Sequence, residues 1–276
     1  SYPQALTGIS TNGTRLATYT YDTEGRAIET QHAGGVERYQ VDYLNSTIAT
    51  VTDPLGTQRT YGYSTKSGKV AVTSASQPSG EGLPDASNRV QEPDGLISSE
   101  TDFQGAVTQY AWDTTRRLPL TITQAAGTAD ERVTTLQWHP SLRLPTLVTE
   151  PGRSTTSSYD SKGNLLSQTV TDTAAVPPVS RTWQWTYNPQ GLVATATEPN
   201  GAVTSYLYNS AGNVIQATNA LGQADTYPYD SAGRVLSHTA PTGLVSSYTW
   251  DVRGRLLSSS AGGLATTMAY NAIAKL

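Results

Sequence analysis

Carboxylates are the residues of this sequence whose type and spacing first suggest chemistry. Asp22, Asp113, Asp160, Asp230 and Asp251 each follow a Tyr or Trp directly. Two carboxylates at one site could act as general acid and base in a hydrolysis. These residues instead recur at one position of a repeated motif, where Asp side chains commonly accept local backbone hydrogen bonds. The pattern therefore predicts turn-forming residues rather than paired catalytic acids.

The three histidines give no second candidate for a catalytic or metal site. His32, His139 and His238 lie far apart, in different copies of the motif, and no ligand-spaced group accompanies them. We expect them at surface or turn positions. The chain contains no cysteine, so thiol nucleophiles, disulfides and thiolate metal sites are all excluded. The sequence predicts no enzyme, no metal and no cofactor.

Charge and composition narrow the classes of partner. The formal net charge is −4, and the 18 Lys and Arg residues are spread along the chain, which argues against a nucleic-acid partner. No apolar run approaches the roughly 20 residues of a membrane span, and the first residues, "SYPQALTGIS", do not resemble a signal peptide. Apolar residues make up only 36% of the chain, with 16 Tyr against one Phe, which favours a thin protein layer over a thick core.

An aromatic residue recurs along the whole chain, mostly at intervals of 20 to 22 residues. The anchors are Tyr21, Tyr43, Tyr63, Trp112, Trp138, Tyr159, Tyr187, Tyr208, Tyr229, Trp250 and Tyr270. Eleven anchors predict a single array of about eleven hairpin units over residues 1–276. The longer intervals predict a degenerate unit with a loop at about 74–100 and an insertion at about 170–181.

Each unit is predicted to be a β-hairpin. An Asx residue three positions before Gly matches a type I turn that is closed by a left-handed residue, followed by a bulge. The predicted structural turn residues are Asp22, Gly25, Asp160, Gly163, Gly191, Gly212, Asp230, Gly233, Asp251 and Gly254. The flanking segments, such as "AVTSYLY" at 202–208, alternate with period two and read as strands. A second turn, such as "EPNG" at 198–201, joins one hairpin to the next.

These elements predict an all-β fold in which one wide antiparallel sheet coils into a wall. The anchor aromatics lie at the structural period, so we expect them to stack across strands along one face. Arg26, Arg234 and Arg255 follow turn glycines and are expected to form exposed pairs with the turn aspartates, refining the hairpins without deciding the fold.

The motif Y-D-x-x-G-R-L/V, as in "YDTEGRAI", "YDSAGRVL" and "WDVRGRLL", resembles the RHS/YD repeat. The resemblance covers about residues 10 to 276. Such repeats occur in polymorphic toxins of bacterial secretion systems, in the B and C components of insecticidal toxin complexes and in teneurins. The resemblance implies part of a hollow shell, or cocoon, whose strands spiral around a cavity. In bacterial members that shell encloses a C-terminal toxin domain.

The resemblance therefore implies a non-enzymatic shell segment of a secreted Rhs-type toxin, with type VI secretion and interbacterial competition as its setting. Its expected partners are the enclosed toxin domain of the same parent chain, the remaining shell and plug segments, and the secretion apparatus. The alternative is a carbohydrate-binding or cell-surface adhesion module. "DPLG" at 53–56 shares letters with the family's self-cleavage site but lies in an ordinary inter-hairpin position, so we interpret it as a turn. The self-cleavage centre and the toxin are expected to lie outside this sequence.

Overall fold

The computed structural model describes residues 4–79 and 86–270, and in this part of the chain the fold is all-β, as predicted. It contains 24 strands and one short 3-10 turn, Ala33–Gly35, with no α-helix among the described residues. These residues accordingly include no helix that is long and apolar enough to cross a membrane. The chain divides into two compact units, Ser1–Leu136 and Gln137–Leu276.

The first unit is an antiparallel meander in which each strand pairs with the next strand along the chain. Its strands are β1 (Gly8–Thr11), β2 (Thr14–Tyr21), β3 (Ala27–His32), β4 (Tyr39–Asn45), β5 (Ile48–Thr52), β6 (Gln58–Lys66), β7 (Lys69–Ala75), β8 (Ala86–Gln91), β9 (Ile97–Asp102), β10 (Val107–Asp113), β11 (Leu118–Gln124) and β12 (Arg132–Trp138), the last of which crosses the unit boundary.

The second unit repeats this arrangement, again with sequential antiparallel pairing. Its strands are β13 (Pro145–Glu150), β14 (Arg153–Tyr159), β15 (Leu165–Asp172), β16 (Val179–Tyr187), β17 (Val193–Thr197), β18 (Val203–Tyr208), β19 (Val214–Thr218), β20 (Ala224–Thr226), β21 (Ser237–Thr239), β22 (Val245–Trp250), β23 (Leu256–Ala261) and β24 (Leu264–Thr267).

The two irregular segments of the sequence contain regular strands. In the 74–100 segment, β8 and β9 form a hairpin around "EPDG" at 92–95, while residues 80–85 lie outside the described residues. In the 170–181 segment, β15 and β16 are lengthened and residues 173–178 connect them. The single array over 1–276 stays a prediction.

Very little of the described chain is buried. The buried hydrophobic residues are Ala17, Ala49, Ala86, Leu96 and Leu118, and no large side chain there is fully buried. In β18 the half-buried residues are Thr204, Tyr206 and Tyr208, whereas Val203 and Leu207 are exposed. We call the side of the sheet that carries Tyr206 and Tyr208 the aromatic face and the opposite side the aliphatic face. Hydrogen bonds between strands and contacts of polar side chains therefore provide much of the stability that a hydrophobic core would normally give.

Candidate functional site

Twelve turns share one backbone arrangement. At Asp230 the backbone amide donates to the carbonyl of Arg234 at 2.9 Å, and the amide of Gly233 donates to the carbonyl of Asp230 at 3.0 Å. Gly233 has φ of +77°, a conformation in which a Cβ is strained. The first residues of these turns are Asp22, Asp53, Glu92, Asp102, Asp160, Asn188, Glu198, Asn209, Asn219, Asp230, Ala240 and Asp251. The "DPLG" segment at 53–56 is thus one of them.

The side chain of the first residue locks most of these turns. Asp230 Oδ1 accepts the amides of Ala232 at 2.9 Å and Arg234 at 3.0 Å, as an Asx turn requires. In "EPNG" the side-chain acceptor is instead the third residue, Asn200, which accepts the amide of Ala202 at 3.0 Å. The turn that begins at Ala240 forms with backbone bonds alone. Its glycine, rather than the aspartate, is therefore the feature common to the whole set.

The sequence-predicted turn residues occupy equivalent positions. The aspartates stand first in their turns, and the glycines stand fourth, with φ between +77° and +90°. These residues are Asp22, Gly25, Asp160, Gly163, Gly191, Gly212, Asp230, Gly233, Asp251 and Gly254. The turns lie in successive hairpins, so the structure distributes the carboxylates along the chain instead of bringing them together as catalytic pairs.

The arginines that follow the turn glycine are less exposed than the sequence predicted. Arg26 Nε lies 2.7 Å from Asp22 Oδ2, and Arg255 Nε lies 2.6 Å from Asp251 Oδ2. With the equivalent pair at Asp230, the three aspartate side chains are only 14% to 19% exposed. The backbone amide of Arg234, followed by its guanidinium, lowers the pKa of Asp230 even though partial burial opposes that shift. The expectation of exposed pairs is therefore wrong.

The physical reason is that each arginine also contacts the following hairpin. The Arg26 guanidinium lies 4.3 Å from the ring centroid of Tyr43, and that of Arg255 lies 4.5 Å from that of Tyr270. Arg234 Nη1 donates to the backbone carbonyl of Asp251 at 2.5 Å. An aspartate, an arginine and a residue of the next hairpin thus form a link between neighbouring hairpins.

The anchor aromatics form a second link, through their polar atoms. Tyr208 Oη donates to the carbonyl of Val193 at 2.7 Å, and Trp250 Nε1 donates to that of Val235 at 2.7 Å. Seven further anchors donate in the same way to the preceding hairpin: Tyr21 to Leu6, Tyr43 to Ala27, Trp112 to Ile97, Tyr159 to Pro145, Tyr187 to Leu165, Tyr229 to Val214 and Tyr270 to Leu256.

Most of the accepting carbonyls lie two residues after a turn glycine, beside the point where the strand register shifts. A bulge disrupts the ladder locally and leaves a backbone group to be satisfied by another donor. The sequence predicted ring stacking across strands, but hydrogen bonding to these carbonyls is the shared role of the anchors. Two anchors remain. Tyr63 is half-buried in β6, where burial raises its pKa, and Trp138 is half-buried at the end of β12.

The bulge also places aliphatic side chains on the opposite face. Leu207 pairs with Gln216 and Tyr208 with Val214, so Ile215 has no direct cross-strand partner. Equivalent residues are third after the turn glycine in four hairpins, and their side chains are 38% to 42% exposed. We call this set the aliphatic stripe: Leu166, Ile215, Leu236 and Leu257. Three of its members are spaced 21 residues apart in the sequence. This spacing could have revealed the stripe, but the aromatic anchors have the same period and were the stronger signal.

The second unit contains a pocket on its aromatic face, with a volume of about 360 Å³. We call it the Tyr–Trp pocket, and its lining residues are Tyr227, Val235, His238, Tyr248, Trp250 and Leu256. His238 Nε2 lies 2.6 Å from Asp225 Oδ1, and its ring stacks on Tyr227 at 4.9 Å. His238 lies in β21, not in a turn, and its half-buried ring lines this pocket on the face of the sheet.

The other two histidines are on loops or strand ends. His32 is exposed and lies 3.3 Å from Glu37, and His139 Nδ1 accepts the amide of Leu142 at 3.1 Å within a turn. Within residues 4–79 and 86–270, no three His, Asp or Glu side chains come together as metal ligands.

Comparison with known proteins identifies the repeat. The family described as RHS Repeat matches residues 187–224 and 229–267, which contain seven of the twelve turns described above. The chain contains RHS repeats. No curated protein matches the sequence.

Solved structures match the RHS-repeat chain at low sequence identity. TcdB2-TccC3 without its hypervariable C-terminal region has a TM-score of 0.58 at 12% identity, over 93% of this chain and 17% of that chain. TcdB2-TccC3-Cdc42 has a TM-score of 0.58 at 13% identity, over 94% and 17%. The Tc holotoxin pore of Photorhabdus luminescens also has a TM-score of 0.58, at 12% identity over 94% and 17%. The RHS-repeat chain shares their fold and spans about a sixth of their length.

Proposed function

We propose that this chain is a non-enzymatic wall segment of a secreted Rhs-type toxin that encloses the C-terminal toxin domain of its own parent chain until delivery. The observation that carries the proposal is the aliphatic stripe. Its four side chains are exposed, and they recur at the same position of four hairpins. An exposed apolar side chain that recurs at the structural period favours a surface that another polypeptide covers.

The spacing of the stripe fits a cargo without fixed structure. Each hairpin contributes two strands, and strands lie about 4.8 Å apart, so successive stripe residues are roughly 10 Å apart across the sheet. Isolated contacts at that spacing give weak, distributed binding instead of the packed centre of a specific interface. Such a face could hold a non-native chain without collapsing around it.

The carboxylates support the non-enzymatic part of the proposal. The side chains of Asp160, Asp230 and Asp251 accept backbone amides and a neighbouring side chain, and these hydrogen bonds hold their pKa values below the usual range. A general acid at neutral pH needs a raised pKa, so these groups are poor proton donors. Their contacts serve the turns.

The comparisons support the toxin context. One matched structure is TcdB2-TccC3 without its hypervariable C-terminal region, so the unaltered protein has such a region. By analogy we propose an enclosed toxin domain as the partner of this chain, together with further shell and plug segments. Export and delivery by type VI secretion in interbacterial competition are part of the same proposal.

The alternative function, a carbohydrate-binding or adhesion module, has weaker support. Nine anchor aromatics already use their polar atoms in backbone hydrogen bonds, which favours a structural role for the ladder.

Serine substitution of the whole stripe in the parent chain tests the proposal. We expect the toxin portion of the Leu166→Ser, Ile215→Ser, Leu236→Ser, Leu257→Ser variant to lose its resistance to limited proteolysis. The matched control replaces highly exposed aliphatic turn residues outside the stripe, Leu55, Leu221 and Val252, with serine and should keep that resistance. Circular dichroism checks that the repeat segment stays folded in both variants. If the fourfold variant does not fold, the single substitution Leu236→Ser replaces it. Equal resistance in both variants would overturn the assignment of the stripe to cargo.

A further inference from the structure

The Tyr–Trp pocket is a second site, separate from the aliphatic stripe. We propose that it binds an organic cation of the quaternary-ammonium class, such as a choline headgroup or a trimethylated lysine. The geometry that points to this ligand is three aromatic side chains, Tyr227, Tyr248 and Trp250, around a space of about 360 Å³, beside a histidine paired with a carboxylate. The inference does not depend on the proposed wall function.

A proline opens the pocket. Other hairpins have a residue other than proline between their two aromatics, as in "YLY" at 206–208, whereas this hairpin has "YPY" at 227–229. Pro228 has no backbone N–H to give to the ladder. Accordingly β20 ends at Thr226, β21 begins only at Ser237, and a single bridge joins Tyr229 to Val235. The shortened strands leave room between the aromatic side chains of β22 and the ring of Tyr227.

The rings are held in place around that space. The indole of Trp250 is fixed by its 2.7 Å hydrogen bond to the carbonyl of Val235. The ring of Tyr227 is fixed on its other side by the parallel ring of His238, at an interplanar angle of 10°. A pre-formed arrangement of this kind loses little conformational freedom when a ligand enters.

The repeat itself shows which chemistry its aromatic rings accept. In two other hairpins a guanidinium covers the anchor ring, with Arg26 over Tyr43 and Arg255 over Tyr270. The equivalent residue before Trp250 is Arg234, and its guanidinium goes to the Asp230 carboxylate and the carbonyl of Asp251. The ring of Trp250 therefore remains a wall of the pocket. A cation from outside the chain can take the place that arginine takes elsewhere.

The charge beside the pocket is also suited to a cation. His238 and Asp225 lie 2.6 Å apart, and the pair is neutral when the imidazole is protonated and negative when it is not. With a neutral imidazole, the negative charge of the pair attracts a positive ligand. A sugar would need several well-placed polar groups in the lining, but Asp225 is already bonded to His238. The aromatic lining thus favours a cation over a carbohydrate.

The test is calorimetric titration of the full 276-residue chain with choline, and with 3,3-dimethylbutan-1-ol as a neutral ligand of the same shape. Because a cation–π contact strengthens binding by roughly fivefold to thirtyfold, we expect the neutral ligand to bind at least about fivefold more weakly. Phosphocholine and N-acetyl-trimethyllysine methylamide then distinguish a lipid headgroup from a peptide source, by whichever binds more tightly. Equal affinity for choline and the neutral ligand, no saturable choline binding, or tighter binding of methyl glucoside would overturn the proposal.

Two variants locate the binding. Tyr248→Leu removes a pocket ring whose hydroxyl makes no hydrogen bond within the described residues, and choline affinity should fall by at least about fivefold. Tyr206→Leu changes the residue at the equivalent position of another hairpin, outside the pocket, and should leave affinity unchanged. Equal losses in both variants would mean that the pocket is not the site.

Discussion

Replacing Tyr208 with phenylalanine removes one hydroxyl and with it the link from β18 to the bulge of the preceding hairpin. The hydroxyl donates to the carbonyl of Val193 at 2.7 Å, and the ring is half-buried on the aromatic face. A typical intramolecular hydrogen bond contributes about 1 kcal/mol to stability, and a buried acceptor left unpaired costs more. The site is partly open to water, so we expect a loss of about 1 kcal/mol in the local free energy of opening.

Hydrogen exchange resolved by mass spectrometry measures this loss hairpin by hairpin, which suits a repeat array better than a single global unfolding curve. A loss of about 1 kcal/mol corresponds to roughly fivefold faster exchange of the protected amides in β17 and β18. The matched control is Tyr206→Phe, which removes a hydroxyl on the same strand and face that makes no hydrogen bond in the described part of the chain. Equal exchange rates in the two variants would refute the reasoning that the anchor hydroxyl links the hairpins.

Three further predictions concern the turns and the proline. Gly233→Val should destabilise its hairpin by about 1 kcal/mol or more, which would be measured as faster exchange in β20 and β21. The cost is backbone strain and not a clash, because φ is +77° while the nearest atom to an added Cβ is 3.5 Å away. Unchanged exchange would contradict the turn assignment. The hydrogen bonds of Asp230 lower its folded pKa, so its contribution is complete above the usual Asp value of about 3.9 and is lost as pH falls through the lower folded pKa. Asp230→Asn keeps an Oδ1 acceptor, as Asn209 does naturally, and should flatten the acid dependence of local exchange below about pH 4, whereas an identical pH profile would count against it. Pro228→Leu restores an N–H to the ladder and should slow exchange over residues 227–237, a result that faster exchange there would contradict.

The hairpins could be predicted from the sequence because their determinants are local. Asp230 and Gly233 lie three residues apart, and the turn needs only an acceptor at one position and a left-handed residue at the other. The alternating aromatics at Tyr206 and Tyr208 similarly assign a strand and one of its faces. The all-β fold follows from repeating those two signals along the chain.

The links between hairpins could not be predicted in the same way, because they depend on register. The bond from Tyr208 to Val193 spans 15 residues and requires a bulge that frees one particular carbonyl. The pairs of Arg26 and Arg255 were expected to be exposed, since the sequence does not show which ring of the next unit lies beneath them. The Tyr–Trp pocket depends on strand shortening at Pro228, whose effect on neighbouring strands becomes visible only in three dimensions.

The central claim, that these repeats enclose a cargo, is tested most directly by limited proteolysis with mass spectrometry on the parent chain, with and without this repeat segment. We predict that the region after residue 276 resists the protease when the repeats are present and is digested when they are deleted. Equal digestion of that region in both chains would contradict the enclosure of a toxin domain by this wall.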